Sequence, residues 1–244
     1  MGENSIMSID KEEFANKIIY DYVFKNGVES KVEVHFVNNI DNSWLLYTTD
    51  KKVIGEYIMR DLSNYNGLVM PFDGNKYHIL IRNDYIDYKC TIIHECTHVI
   101  DYDRFRIHYN GGDKNIEFHK FYGSMCLYSE FHARKMEHAY YVQNLSDVNV
   151  PQILFQELLN IVPIIKDLEY DIKSNKCTNI IKDLRLYNLM QYLGRIYTAK
   201  LDISPLDDFS NNIKTLYVNL VALDENWNDN SFQAVENALR QLYE

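Results

Sequence analysis

Hydrophobic and polar positions alternate most clearly over residues 31–37, where Val32, Val34 and Phe36 oppose Glu33, His35 and Val37. A period of two is that of a strand. It returns over 77–82, with Tyr77, Ile79 and Ile81 on one side, and a further strand is expected over 43–49. Turn-forming residues gather at 64–67 and 71–75. A helical period takes over elsewhere. Phe14, Ile18, Ile19 and Tyr22 predict an amphipathic helix over 10–25. Ile92, Ile93, Val99 and Ile100 predict another over about 87–105, with Asn83, Asp84 and Asp87 as caps before it. After Asn110-Gly111-Gly112-Asp113 the alternation stops, and helices are expected over 116–144, 151–173, 178–200, 207–223 and 231–243. Pro151 suits a first helical turn. The pattern predicts an α+β fold: a small antiparallel or mixed sheet packed on the helix at 87–105, and a mainly helical second half.

Composition narrows the class. The chain has 244 residues, 46% hydrophobic and 25% charged, as in soluble globular proteins. A net charge of −10, with no basic run, speaks against nucleic acid or a membrane surface as a partner. No apolar run reaches transmembrane length, and the first residues lack the basic-then-apolar pattern of a secretory signal. The four cysteines, Cys90, Cys96, Cys126 and Cys177, are too few for a disulfide framework in a chain this long. Reduced thiols and a cytoplasmic location are expected. The 20 tyrosines read as compositional bias.

The chemistry concentrates at His94-Glu95-Cys96-Thr97-His98, an H-E-x-x-H pentapeptide inside the helix expected at 87–105. Residues four apart share a helix face, so both imidazoles can address one metal ion. Glu95 stands beside them, in reach of a water on that ion. This is the spacing of a zinc hydrolase. Cys96 lies about 200° around the helix from His94 and is expected as a small buried apolar residue. Cys90 is about 12 Å from position 98 along the axis, too far to share the ion.

A catalytic zinc needs a third protein ligand. An H-E-x-x-H-x-x-G-x-x-H site is excluded, because Asp101 and Arg104 occupy its last two fixed positions. The alternative is a glutamate on a following helix, and Glu130-Phe131-His132-Ala133 supplies one 32 residues after His98. Ala133 and Gly123 are small enough for helices to approach closely there. Glu130 is the candidate, with Glu137 two turns further on as its main rival and Glu117, His119, His132 and His138 as weaker ones.

His94-Glu95-x-x-His98 with Glu130-x-x-Ala133 resembles the gluzincin metallopeptidases, and among them the compact ImmA/IrrE-type bacterial and phage-associated proteins. The resemblance covers about residues 90–140. It implies a zincin-like catalytic domain over 1–150, with 151–244 as a helical subdomain packed on it. It implies Zn2+ held by His94, His98 and Glu130, with Glu95 as general base in hydrolysis of a peptide or protein substrate. In thermolysin-like relatives an aspartate four residues after the glutamate supports a zinc-bound histidine. Arg134 stands there in this chain, so Asp101 is the candidate replacement. His138 and Tyr140, with Tyr141, are candidate oxyanion donors. If the 77–82 strand forms a sheet edge, an extended peptide could pair with it. Two other functions fit the same residues: a metal-stabilised module that binds a protein without cleaving it, and a zinc amidohydrolase acting on a non-peptide amide.

Overall fold

The computed structural model describes residues 3–51, 53–54, 58, 61–73, 76–110, 116–145, 150–174, 178–199 and 205–243. The break at 111–113, Cys177 and the end of the 71–75 turn lie outside these residues. The chain forms two compact units, Met1–Ile116 and Glu117–Glu244. It is α+β and mostly helical, with a small mixed sheet.

The first unit opens with helix α1 (Glu3–Ile18), continued by a π-helical turn at Ile19–Val23. Strand β1 (Lys31–Val37) and strand β3 (Lys76–Arg82) appear where alternation predicts them. The short strand β2 (Gly67–Val69) begins at the last residue of the 64–67 turn and runs through a stretch for which no strand is expected. The sheet order is β1-β3-β2, with β1 parallel and β2 antiparallel to β3. β3 is therefore the central strand, and β1 and β2, not 77–82, are the edges of this sheet. The strand expected over 43–49 is also corrected. Ile40–Ser43 is one turn of α-helix and Trp44–Tyr47 a 3-10 turn. Asn39 caps them, its side chain accepting from the Asn42 amide at 3.1 Å. That local hydrogen bond gives the backbone an alternative to a sheet ladder.

Helix α2 (Tyr88–Asn110) carries the pentapeptide and begins one residue past Asp87. Of the other proposed caps, Asp84 pairs with Arg82, and Asn83 accepts from the buried Lys11. The sheet face bearing Val32, Tyr77, Ile79 and Ile81 packs on Ile92, Cys96, Val99 and Ile100 of α2. The opposite face, with Val37, Leu68 and Leu80, packs on Ile40, Trp44, Leu62 and Met70. A buried polar clamp ties α2 to the sheet. Asp103 accepts from Arg106 at 2.6 Å, from Ser30 at 3.1 Å and from Tyr77 at 3.4 Å. Burial first, and then the Asp103 charge, push the Tyr77 hydroxyl well above the usual phenol range.

The second unit comprises helices α3 (Tyr122–Gln143), α4 (Val150–Lys173), α5 (Asn179–Ala199), α6 (Asn211–Glu225) and α7 (Asp229–Tyr243). Their stripes follow helical spacing. α4 buries Leu154, Leu158, Ile161, Ile165, Leu168 and Ile172, each contributing about 1.5–3 kcal/mol on full burial. Ser210 caps α6, accepting from the Ile213 amide at 3.3 Å. A Cβ at Gly123 would meet nothing within 4 Å, and within this unit the close helix approach lies elsewhere. It occurs at Gly194 of α5, where a Cβ would sit 2.4 Å from the Phe131 carbonyl of α3. Ala133 is fully buried.

Candidate functional site

α2 buries the face on which the pentapeptide lies. His94 and His98 are 8% and 6% exposed, and their Nε2 atoms lie 3.1 Å apart. The rings meet edge to face with centroids 4.7 Å apart, and Tyr102 stacks on His98. Two ligand nitrogens on a tetrahedral zinc, each about 2.0–2.1 Å from the metal, stand about 3.3–3.4 Å apart. The observed spacing is close to that edge, so little motion would seat an ion. Thr97, flanking the histidine stripe, donates to the Ile93 carbonyl at 2.8 Å and accepts from Tyr22 at 2.9 Å. The bond to Tyr22 ties α2 to the π-helical turn at Ile19–Val23 and resists its rotation.

Glu95 is 7% exposed and lies against the edge strand. A Cβ added at Gly67 of β2 would fall 2.5 Å from Glu95 Oε1 and 2.5 Å from Thr91 Cγ2. Only glycine lets β2 run this close to the carboxylate. Asp101, one turn past His98, is 1% exposed, a burial that an ionised carboxylate tolerates only with partners. Cys96 is fully buried, as expected, and burial pushes its thiol up, so it behaves as a small apolar group. Cys90, Cys96 and Cys126 are free thiols.

Glu130 belongs to the second unit. It is partly buried on α3 and accepts from Gln191 Nε2 at 3.0 Å. The same Gln191 amide accepts from Arg134 Nη2 at 3.1 Å, and Arg134 Nη1 donates to Glu137 at 2.8 Å. Glu137 is thus engaged by Arg134, while the Gln191 amide orients Glu130. Arg134 thus links two glutamates, Glu137 directly and Glu130 through the Gln191 amide. Of the oxyanion candidates, His138 is buried with Nδ1 against the Thr198 hydroxyl and Nε2 3.0 Å from Glu157. Tyr140 is partly buried on α3, and Tyr141 is 43% exposed with its ring stacked on His138.

No family model, curated protein or solved structure matches this chain. Its chemistry therefore has to be read from its own side chains.

Two groups of His and Glu side chains among the described residues could hold a metal ion. One includes the imidazole pair His94 and His98. The other, Glu33, His35 and His78, lies wholly in the first unit and was missed in the sequence. Lys31 and then Lys76, both hydrogen-bonded to it, hold the Glu33 carboxyl down at about 2. Burial, with neighbouring positive charge, lowers His35 and His78 below the usual imidazole range. The available signal was His78 itself, a polar residue inside the apolar run Tyr77-His78-Ile79-Leu80-Ile81. Its partners depend on a strand register that periodicity does not give. Gly67 and Gln191 were missed for the same reason: each acts through a neighbour remote in sequence.

Proposed function

We propose that the chain is a zinc-dependent metallopeptidase of the gluzincin kind, in which His94, His98 and Glu130 hold the ion and Glu95 is the general base. The observation that carries the proposal is the buried imidazole pair, with Nε2 atoms 3.1 Å apart and Glu95 beside them on the same helix. Two imidazoles and a carboxylate suit zinc and leave a coordination position open. When bound, zinc supplies a Lewis acid that polarises a carbonyl and acidifies water.

The protein's own groups do the rest. Glu95 takes the proton of the attacking water and returns it to the leaving amine. Burial of its carboxylate against β2 keeps it from swinging into bulk water. The Gln191 amide, held by Arg134, fixes the rotamer of Glu130. Asp101, buried one turn past His98, takes up its other ring N–H. An extended substrate adds to the edge strand β2, whose Gly67 abuts Glu95, and backbone pairing there brings a peptide bond to the base.

The test pairs two variants. Glu95→Gln is expected to keep zinc and lose turnover, and His94→Ala to lose both the zinc held by this helix and turnover. A purified protein whose zinc content is unaffected by His94→Ala would overturn the proposal. Zinc retained in a wild type that cleaves no peptide in a broad library would favour the non-cleaving binding module, and release of a non-peptide amide product would favour the amidohydrolase.

A further inference from the structure

We propose that Glu33, His35 and His78 form a second divalent-metal site, on the sheet face turned away from α2 and suited to zinc or another ion that takes nitrogen and oxygen donors. The sheet builds it. Alternation along β1 puts Glu33 and His35 on one face, and the parallel register sets Glu33 directly beside His78 of β3. Val32 and Val34 of β1, with Tyr77 and Ile79 of β3, take the other face and pack in the core shared with α2. This cluster therefore lies on the sheet face opposite the one packed against α2.

The distances match an ion. His35 Nε2 and His78 Nδ1 are 2.9 Å apart. Glu33 Oε2 is 3.4 Å from His78 Nδ1 and 3.8 Å from His35 Nε2. A tetrahedral zinc with bonds of about 2.0–2.2 Å separates its ligand atoms by about 3.3–3.5 Å, the middle of that range. His78 is almost fully buried, and the Tyr47 ring lies 4.2 Å from that of His35 and 5.4 Å from that of His78. The remaining nitrogen of His78, Nε2, lies 3.9 Å from the Asp73 carboxylate, the kind of partner that orients a metal-bound imidazole. Two imidazoles and one carboxylate favour zinc, copper or nickel over magnesium or calcium.

Lys31 and Lys76 compete for the same carboxylate. Lys31 is 2.5 Å from Glu33 Oε1, and Lys76 is 3.1 Å from Oε2. Both ammoniums end long flexible stems, and Lys31 is largely exposed, so each can withdraw into water when a dication takes the carboxylate. The ion would bridge β1 and β3, residues 43 positions apart, and so stabilise the parallel pair by binding only the folded chain.

The test reads zinc content after reconstitution of the full chain and removal of excess metal by gel filtration. Wild type should hold about two equivalents, and His35→Gln, His78→Gln and His94→Ala about one each. His94→Ala combined with His35→Gln should hold none. In the His94→Ala protein, zinc should still raise Tm, and adding His35→Gln should abolish that rise. Lys76→Gln should tighten zinc at this site several-fold by removing a competing cation, an effect that a purely hydrogen-bonded cluster would not show. His35 is partly exposed, so its variant is the safer one for folding, which circular dichroism checks. If folded His35→Gln and His78→Gln proteins hold as much zinc as wild type, the site does not exist. If instead His94→Ala alone leaves zinc unchanged while His35→Gln removes it, the second site stands and the peptidase proposal falls.

Discussion

The histidines of the two units are used in opposite ways. In the first unit four of the five turn ring nitrogens toward one another, His94 and His98 at 3.1 Å and His35 and His78 at 2.9 Å, the second pair with Glu33 beside it. In the second unit two of the three face carboxylates: His132 lies 3.7 Å from Asp224, and His138 lies 3.0 Å from Glu157. An imidazole against a carboxylate is satisfied by a proton. Two imidazole nitrogens turned toward each other form, at best, one hydrogen bond with a single proton between them, and a metal ion satisfies both lone pairs. The second unit spends its buried polar groups on joining helices. Asp224 of α6 accepts from Tyr128 at 2.9 Å and from Lys135, both on α3, and Glu157 of α4 pairs with Arg195 of α5. The histidine counts, five in the first unit and three in the second, do not reveal this contrast; the direction of each ring nitrogen does.

The sharpest way to break this contrast is at α2. His94→Ala should reduce peptide hydrolysis to background and release the ion held there, whereas His138→Ala should leave zinc content unchanged and only destabilise the fold. Metal analysis and a denaturant melt of both variants test this together. Glu95→Gln should lower kcat by about 10²–10⁴-fold with the metal retained. Gly67→Ala should keep the metal and lower kcat/KM by roughly 10²-fold, because the new Cβ must displace the Glu95 carboxylate. Steady-state kinetics at fixed zinc measure both.

In the second unit, Asp224→Asn should cost about 2–4 kcal/mol of stability with zinc content untouched, as urea titration would show. Acid should act on the same groups. Burial opposes ionisation of Asp224, but His132, Lys135 and Tyr128 outweigh it and hold its carboxyl below the usual value of 3.8. The His138 hydrogen bond does the same for Glu157, below its usual 4.5. A carboxylate lowered in the folded state contributes stability above its unfolded value and loses it as pH falls through the folded one. The second unit should therefore weaken as pH drops below about 4.5, and Asp224→Asn should flatten that dependence. Chemical denaturation at stepped pH measures the slope.

Much of this was legible in the sequence because it is periodic. The strands at 31–37 and 77–82, the pentapeptide helix and the helices of the second half all follow from spacing. What escaped depends on partners far along the chain. β2 is three residues long and begins on the last residue of a turn, too short to show alternation before β3 pairs with it. The apolar run Trp44-Leu45-Leu46-Tyr47 resembles a strand, but the Asn39 cap commits it to helical turns, a local signal that was available. His94 and His98 are coupled by helix geometry and are visible as a motif. His35 and His78 are coupled only by register, which no one-dimensional pattern encodes.

The most direct test is a crystal structure with anomalous diffraction collected at the zinc edge. We expect a peak about 2.0–2.2 Å from Nε2 of both His94 and His98 and from a carboxylate oxygen of Glu130, with the Glu95 carboxylate beside it and not bonded to it. No peak at that imidazole pair, or a peak with Glu130 turned away and no other carboxylate in its place, would contradict the assignment.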